Sequence, residues 1–410
     1  MQKFIQLPQK PLSVFIFVVL LMPTALFAGS LKAVFTPLIG PHDALLVTGP
    51  GGDLLVSINA DKKLIPASTL KVLTALVALR HLGPEYRFTT AFYLDSEGNL
   101  KIRGSGDPLL LSETVRSIAT RLSERLCREK GLSGIILDDT RFEKPLAIPG
   151  TNSLSNQPYD APIGALCVNF NTINFKREKG LFTSNEPQTP LLPSVLPRVR
   201  QSGRNQGRIL LSGRGDACTH YAGELFRHFL ERQGVRFTEG IQIGSVSEAH
   251  DTLIYRHTAD LPLTAVIEKM LHYSNNFMAN QLLLSAGAKA FGAPATLEKG
   301  VRAALDYTGK EFGSSGITLA EGSGVSRENR ICATAMMKIV RRFKPFRHLM
   351  RQQGKERYKT GTLSGISTRV GYIESKHKGL VSFVIMTNTP GRRADSISKK
   401  LMIALDTADG

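Results

Sequence analysis

The chain has 410 residues, 52 Lys+Arg against 34 Asp+Glu for a formal net charge of +18, and 42% hydrophobic against 21% charged residues. That balance excludes a disordered chain, a collagen-like fibre and a multi-span membrane protein, and the length predicts two or three domains. Four cysteines (Cys127, Cys167, Cys218, Cys332) with no Cys-x-x-Cys pair exclude a cysteine zinc site and a dense disulfide framework. One bridge remains open, with a connectivity that the sequence does not give.

Residues 1–28 read as an export signal. Lys3 and Lys10 precede an apolar run, Val14–Met22, then Pro23 and the small residues Ala28-Gly29-Ser30, which predicts cleavage after Ala28. An uncleaved anchor is the alternative, since Leu26 is unusual at its position, but the run is short for a span of ~20 residues. Export makes a nucleic-acid partner unexpected, although the charge alone would permit one.

Ala44–Thr48 and Leu54–Asn59 flank Gly49-Pro50-Gly51-Gly52 and predict a hairpin. Thr69–Leu82 carries a helical pattern that stops at Gly83-Pro84. Phe88–Tyr93 and Leu100–Gly104 read as strands, Glu113–Lys130 as a helix, and Gly134–Leu137 as a strand entering Asp138-Asp139. A Pro-, Asn- and Ser-rich stretch runs from Pro145 to Pro197, with a strand-like piece at Cys167–Phe175, and Tyr221–Gln233 is helical. The pattern is mainly helical from about His257 to Thr308. The end holds strands at Val370–Ile373 and Leu380–Thr387 and a helix near Asp395–Ala408. This order predicts an α/β domain from residues 29–85 and 257–410, with an inserted domain at 86–256.

Between Lys338 and Lys400 stand 16 Lys+Arg and 3 Asp+Glu. Such a segment suits peripheral contact with an anionic membrane or wall polymer. Its spread over several elements favours an ordinary solvated surface.

Three short motifs carry chemistry. Ser68-Thr69-Leu70-Lys71 opens an apolar helix, and a spacing of three puts both side chains on one face. A serine hydroxyl becomes a good nucleophile when a base takes its proton, and a lysine held neutral is such a base. Ser274-Asn275-Asn276 follows a helical stretch and offers a hydroxyl and an amide, although Ser and Asn there also suit a helix N-cap. Lys359-Thr360-Gly361-Thr362 occurs once, before the final strands. Its lysine can hold a carboxylate, its hydroxyls can bind, and Gly361 allows close backbone approach. Singly these motifs are weak, since Ser-x-x-Lys recurs at Ser375–Lys378 and Ser396–Lys399, and Ser-x-Asn at Ser57–Asn59.

Their order, with 206 residues from Ser68 to Ser274 and 85 from there to Lys359, resembles penicillin-binding proteins and serine β-lactamases. The long insertion resembles the D-alanyl-D-alanine carboxypeptidase/endopeptidase family, the class C (type 4) low-molecular-mass penicillin-binding proteins. Gly104-Ser105-Gly106-Asp107-Pro108, Asn169-Phe170-Asn171 and Glu321-Gly322-Ser323-Gly324-Val325-Ser326-Arg327 also look like that family. The resemblance implies a transpeptidase-like α/β (α+β) fold with a large inserted domain. It implies an acyl-enzyme cycle on peptidoglycan stem peptides, with β-lactam antibiotics as covalent inhibitors and no metal or organic cofactor. Ser68 would be the nucleophile, Lys71 the base, and Ser274 a proton relay. Asn276 would hold the peptide, Lys359 would bind the terminal carboxylate with Thr362 helping, and Thr360 and Gly361 would complete the substrate-binding strand. The backbone N–H groups of Ser68 and Thr362 would form the oxyanion hole. An acidic residue of the insertion would read a stem-peptide amine, and Asp138 and Asp139 are the candidates, with a turn as their alternative role.

The pattern departs from the family at Asn275, where Asp is usual, at Asn280, near where Glu is common, and in having no Trp. Two rival functions follow: a β-lactamase, against which stands the absence of a Glu-x-x-Leu-Asn run, and a weakly active wall-binding protein of the same fold.

Overall fold

A computed structural model describes residues 31–126, 131–152, 155, 157–211, 215–313 and 316–407. The expected signal segment and Cys127 lie outside the described residues. Cys167, Cys218 and Cys332 are unbridged.

The opening hairpin pairs β1 (Asp43–Thr48) with β2 (Leu54–Ile58). The helix expected after Ser68 starts as a 3-10 turn, Ala67–Leu70, and continues as α1 (Lys71–Leu82) up to Gly83 at φ +92°. Every residue of α1 from Lys71 to Leu79 is buried, so this is a central helix rather than a surface one.

Then follow β3 (Thr89–Leu94), β4 (Leu100–Gly104), α2 (Ser112–Leu126) and β5 (Ile135–Asp138). Val115, Ile118, Ala119, Leu122 and Leu126 form the buried stripe of α2, at the spacing of an amphipathic helix. Next come β6 (Thr172–Glu178), β7 (Leu181–Ser184), β8 (Gln206–Leu210), α3 (Ala217–Arg232), β9 (Ile241–Ile243) and β10 (Thr252–Thr258). The strand expected at Cys167–Phe175 starts only at Thr172. Asn169, Phe170 and Asn171 take φ of +50°, +57° and +52°, a left-handed backbone that an extended strand does not contain.

The helical run comprises α4 (Leu263–Tyr273), α5 (Asn276–Phe291) and α6 (Leu297–Phe312). After the short pair β11 (Ile317–Thr318) and β12 (Arg330–Ile331) come α7 (Ala333–Phe343), β13 (Arg351–Gln353), β14 (Glu356–Leu363), β15 (Ile366–Ser375), β16 (Gly379–Thr387) and α8 (Ala394–Thr407).

A six-stranded antiparallel sheet has the order β13-β14-β15-β16-β1-β2. The first and last strands among the described residues, β1 and β16, are therefore neighbours. Successive side chains of a strand face opposite ways, and this sheet is covered on both faces. Ala44 and Leu46 of β1 join the core of α1, α4, α5 and α7. Leu45 and Val47 join a second core with Ile397, Leu401 and Leu405 of α8.

A five-stranded sheet, β10-β3-β4-β5-β9, packs with α2 and α3 around a third core, and β7-β6-β8 form a smaller sheet. The intervening segment does not keep to itself. Phe142, Ile148, Ala161, Ile163, Ala165 and Cys167 are buried in the core of α1 and α5.

Several bases of the Lys338–Lys400 segment are paired inside the molecule. Arg342 meets Glu311, Lys355 meets Asp406, Arg369 meets Glu356 and Asp395, and Arg392 meets Asp43. Among the described residues, no helix is long and apolar enough to cross a membrane.

Candidate active site

Ser68 sits half-buried in the 3-10 turn, preceded by Ala67 at φ +46°. A non-glycine residue in that region is strained and persists only where its surroundings hold it. Gly324, at φ +83°, lies so close that a Cβ on it would be 1.9 Å from the carbonyl oxygen of Ala67. Thr69 Oγ1 donates to the carbonyl of Pro66 at 2.7 Å, and so does Thr368 Oγ1 from β15.

Lys71 is fully buried. Its Nζ lies 2.9 Å from Ser68 Oγ, 2.8 Å from Asn276 Oδ1 and 2.7 Å from the carbonyl oxygen of Ser323. Burial holds its proton affinity well below the ordinary lysine range, and the charge of Lys359 pushes the same way; Glu321 opposes both. An amine whose proton affinity is lowered in this way, at hydrogen-bond distance from a hydroxyl, is placed to take its proton.

Ser274 follows the last residue of α4 in a left-handed conformation, φ +54°. This turn aims its hydroxyl at Lys359, whose Nζ is 2.8 Å from Ser274 Oγ and 2.6 Å from the carbonyl of Thr360. Burial, followed by the charge of Arg351, lowers the pKa of Lys359 to about 7. Asn276 bridges Lys71 and the carbonyl of Tyr159, to which its Nδ2 donates at 3.2 Å. One side of the site thus comes from the inserted segment, at the 3-10 turn Pro158–Asp160.

Lys359, Thr360, Gly361 and Thr362 lie on β14, with Thr362 exposed and Thr360 half-buried. A Cβ on Gly361 would stand 2.7 Å from the backbone nitrogen of Ser68. Glycine is required there because the strand runs directly against the turn that carries Ser68.

The two asparagine departures from the family pattern have partners that explain them. Asn275 is the N-cap of α5, and its Oδ1 accepts from Met278 N at 2.9 Å. Asn and Asp cap equally well. Asn280 donates to Glu321 Oε2 at 3.1 Å and accepts from Gly322 N at 2.8 Å. An acid in its place would face a second carboxylate at that distance.

Asp138 and Asp139, the candidates for stem-peptide recognition, are both engaged by groups of the protein itself. Asp138 accepts from Thr140 N, Thr140 Oγ1 and Val246 N. Asp139 accepts from Leu166 N and Thr219 Oγ1, both at 2.6 Å, and pairs with Lys144 at 2.7 Å. Both carboxylates are buried and occupied, and the clefts that they line contain none of Ser68, Lys71, Ser274 or Lys359.

The other segments that resemble the family build the frame. Gly106 N donates to the carbonyl of Ala165, and a Cβ on Gly104 would clash with that same oxygen at 2.2 Å. Asn171 Nδ2 donates to the carbonyl of Pro162. These contacts fix the 158–167 loop that reaches Asn276. Sequence motifs missed the carbonyls of Tyr159 and Ser323, because a backbone oxygen leaves no side-chain signature. Among the described residues, no cluster of three or more His, Cys, Asp or Glu could hold a metal ion.

A family model for the D-Ala-D-Ala carboxypeptidase 3 (S13) family matches residues 48–349 and 339–408. The chain belongs to this S13 family. Among curated S13-like relatives, a D-alanyl-D-alanine carboxypeptidase of Actinomadura sp. (strain R39) is 26% identical over 412 residues, covering 82% of this chain and 76% of the relative. DacB of Haemophilus influenzae is 25% identical, covering 70% of this chain and 67% of the relative. The fold is that of penicillin-binding protein 4 from Haemophilus influenzae, with a TM-score of 0.74 at 18% identity over 90% of this chain and 99% of that one. The Bd0816 predatory endopeptidase of Bdellovibrio bacteriovorus matches with a TM-score of 0.52 at 15% identity, over 88% and 92%.

Proposed function

We propose that this S13 protein is a serine-type D-Ala-D-Ala carboxypeptidase and/or DD-endopeptidase, acting on peptidoglycan stem peptides through an acyl-enzyme. The observation that carries the reading is the contact of 2.9 Å between Ser68 Oγ and the buried Lys71 Nζ. Ser68 attacks the carbonyl of the penultimate D-alanine while Lys71 takes its proton. The proton passes to the departing amine, by way of Lys71 and Ser274. Water then attacks the ester, Ser68 recovers its proton, and the shortened peptide leaves as the acid.

Asn276 orients Lys71 and offers Nδ2 toward the peptide. Lys359 holds the terminal carboxylate, supported by Thr360 and Thr362. The N–H groups of Ser68 and Thr362 receive the oxyanion, a role that the close approach of Gly361 to Ser68 N supports. A strained β-lactam amide with its own carboxylate fits the same groups, so penicillins acylate Ser68. An endopeptidase of similar fold from Bdellovibrio bacteriovorus, with a TM-score of 0.51, is solved in its penicillin G-acylated form, which supports this. The protein works outside the cytoplasm, exported by residues 1–28, and its basic C-terminal segment touches anionic lipid or wall polymer at most peripherally.

Digestion of purified cross-linked muropeptides, read by mass spectrometry, tests the reading. Free D-alanine or cleaved cross-bridges support it. An intact substrate with an enzyme that hydrolyses penicillin within milliseconds would replace it with a β-lactamase.

A further inference from the structure

Glu321 is completely buried and lies outside the three motifs. Its Oε2 accepts from Ser323 N at 2.6 Å, Ser323 Oγ at 2.6 Å and Asn280 Nδ2 at 3.1 Å. Its Oε1 accepts from Gly324 N at 2.6 Å, Asn329 Nδ2 at 2.7 Å and Ser326 N at 3.3 Å. Every one of these contacts is a donor aimed at the carboxyl group, which suits an acceptor-only carboxylate.

These contacts wind the backbone from Gly322 to Ser326 around one side chain. Three further contacts tie the wound loop to the catalytic groups. Ser323 gives its carbonyl to Lys71 Nζ at 2.7 Å. Gly322 gives its carbonyl to Thr74 Oγ1 of α1 at 2.5 Å. Gly324 presses on Ala67, next to the nucleophile. A loop that holds a carbonyl against a lysine within a buried site gains from such an internal anchor, because an unpaired polar group is costly in a low-dielectric interior.

We infer that Glu321 is a positioning residue of the acyl-transfer site, whose carboxylate fixes the Ser323 carbonyl as the third partner of Lys71 and sets a negative charge close to that lysine. The inference rests on the proposed function. Two charged groups act on Lys71 from the elements packed around it: Lys359 on β14, which makes its protonation harder, and Glu321, which makes it easier. With the carboxylate in place, Lys71 stays basic enough to accept the Ser68 proton despite its burial. The amide of Asn280 is the complement of this arrangement, since it donates to Glu321 and accepts from the loop that Glu321 holds.

The test is the pH profile of acylation by a fluorescent penicillin, measured on the full chain. The acid limb reports the loss of a proton from Lys71. Glu321→Gln removes a negative charge near Lys71, so the limb moves to lower pH, by about one unit, and acylation slows roughly 10- to 100-fold. Glu321→Asp keeps the charge and draws the acceptors back by one methylene. Acylation then slows while the limb stays where it is in the unchanged protein.

A Glu321→Gln protein that is slower with an unmoved limb would overturn the electrostatic half of the inference, leaving only a loop anchor. If Glu321→Gln does not fold, Glu321→Asp carries the test alone: a folded aspartate variant at full rate overturns the positioning role. Failure of the underlying reading looks different, because the unchanged protein would then take no label at all.

Discussion

Lys359 Nζ lies 2.8 Å from Ser274 Oγ, across 85 residues of chain. The same distance could arise from an ordinary surface pair, but Lys359 is buried, and Ser274 reaches it from a left-handed turn. Together with the Ser68–Lys71 pair, it gives the site two serine–lysine contacts, with Asn276 bound to Lys71. Each lysine has its proton affinity lowered chiefly by burial. The tasks proposed for them differ: Lys71 is to accept a proton, and Lys359 is to hold a carboxylate.

Ser68→Ala abolishes covalent labelling by a fluorescent penicillin, as read by gel fluorescence. Ser375→Ala and Ser396→Ala leave labelling unchanged, although both serines belong to Ser-x-x-Lys repeats. Ser375 Oγ donates to the carbonyl of Leu405, and Ser396 is exposed on α8. Label on the same active-site peptide in the Ser68→Ala protein would sink the nucleophile assignment.

Lys359→Met separates substrates by their carboxylate. Loss of a charge-assisted contact costs about 2–3 kcal/mol of transition-state stabilisation for stem peptides with a free terminal carboxylate, and less for an analogue in which it is amidated. Equal loss on both would refute the anchoring role. The pH dependence follows from a pKa of about 7 against 10.5 for an ordinary lysine. Above about pH 7 the free enzyme loses this cation, so KM for carboxylate substrates rises with pH. Between those two values the unfolded chain holds a proton that the folded chain does not. Folding stability from this group therefore increases with pH across that window and is flat below it. Urea titrations at pH 7 and pH 9 should show that gain in the unchanged protein, and a smaller one in Lys359→Met.

Gly324→Ala should cripple the nucleophile turn. Its φ of +83° is unfavourable for alanine, and the added Cβ would stand 1.9 Å from the Ala67 carbonyl oxygen. Relief requires displacement of Ala67 and Ser68. The expected cost is about 1–3 kcal/mol of stability, with acylation slowed by more than that loss explains. Normal acylation kinetics in the folded variant would show that the 322–326 loop does not set the position of Ser68.

Asn275→Asp should be nearly silent, because either side chain caps α5 through Met278 N. Asn275→Ala should cost about 1 kcal/mol through the lost cap. A large rate gain for Asn275→Asp would mean that the charge, rather than the cap, is what position 275 contributes.

What the sequence determined by itself was the local chemistry. The spacing of Ser68 and Lys71 on one helical turn, the single Lys-Thr-Gly run and the strands near both ends follow from short-range pattern, and the fold keeps them. The Asn275 and Asn280 substitutions looked like losses of charge in one dimension, since their partners Met278 N and Glu321 become evident only when the chain is folded. Asp138 and Asp139 looked available for a ligand because a strand end predicts a loop, and loops face clefts. Tertiary packing brings Val246, Thr219 and Lys144 onto them, partners that no local pattern announces. The strand read at 167–171 failed for a similar reason, as Asn169 and Asn171 there spend their amides on Ser112 and Pro162 in a left-handed turn. Only the folded chain joins Lys71 to the carbonyl of Ser323, 252 residues away. Backbone oxygens are the same at every position of a sequence, so which of them meets a buried lysine is decided by the loop that Glu321 holds.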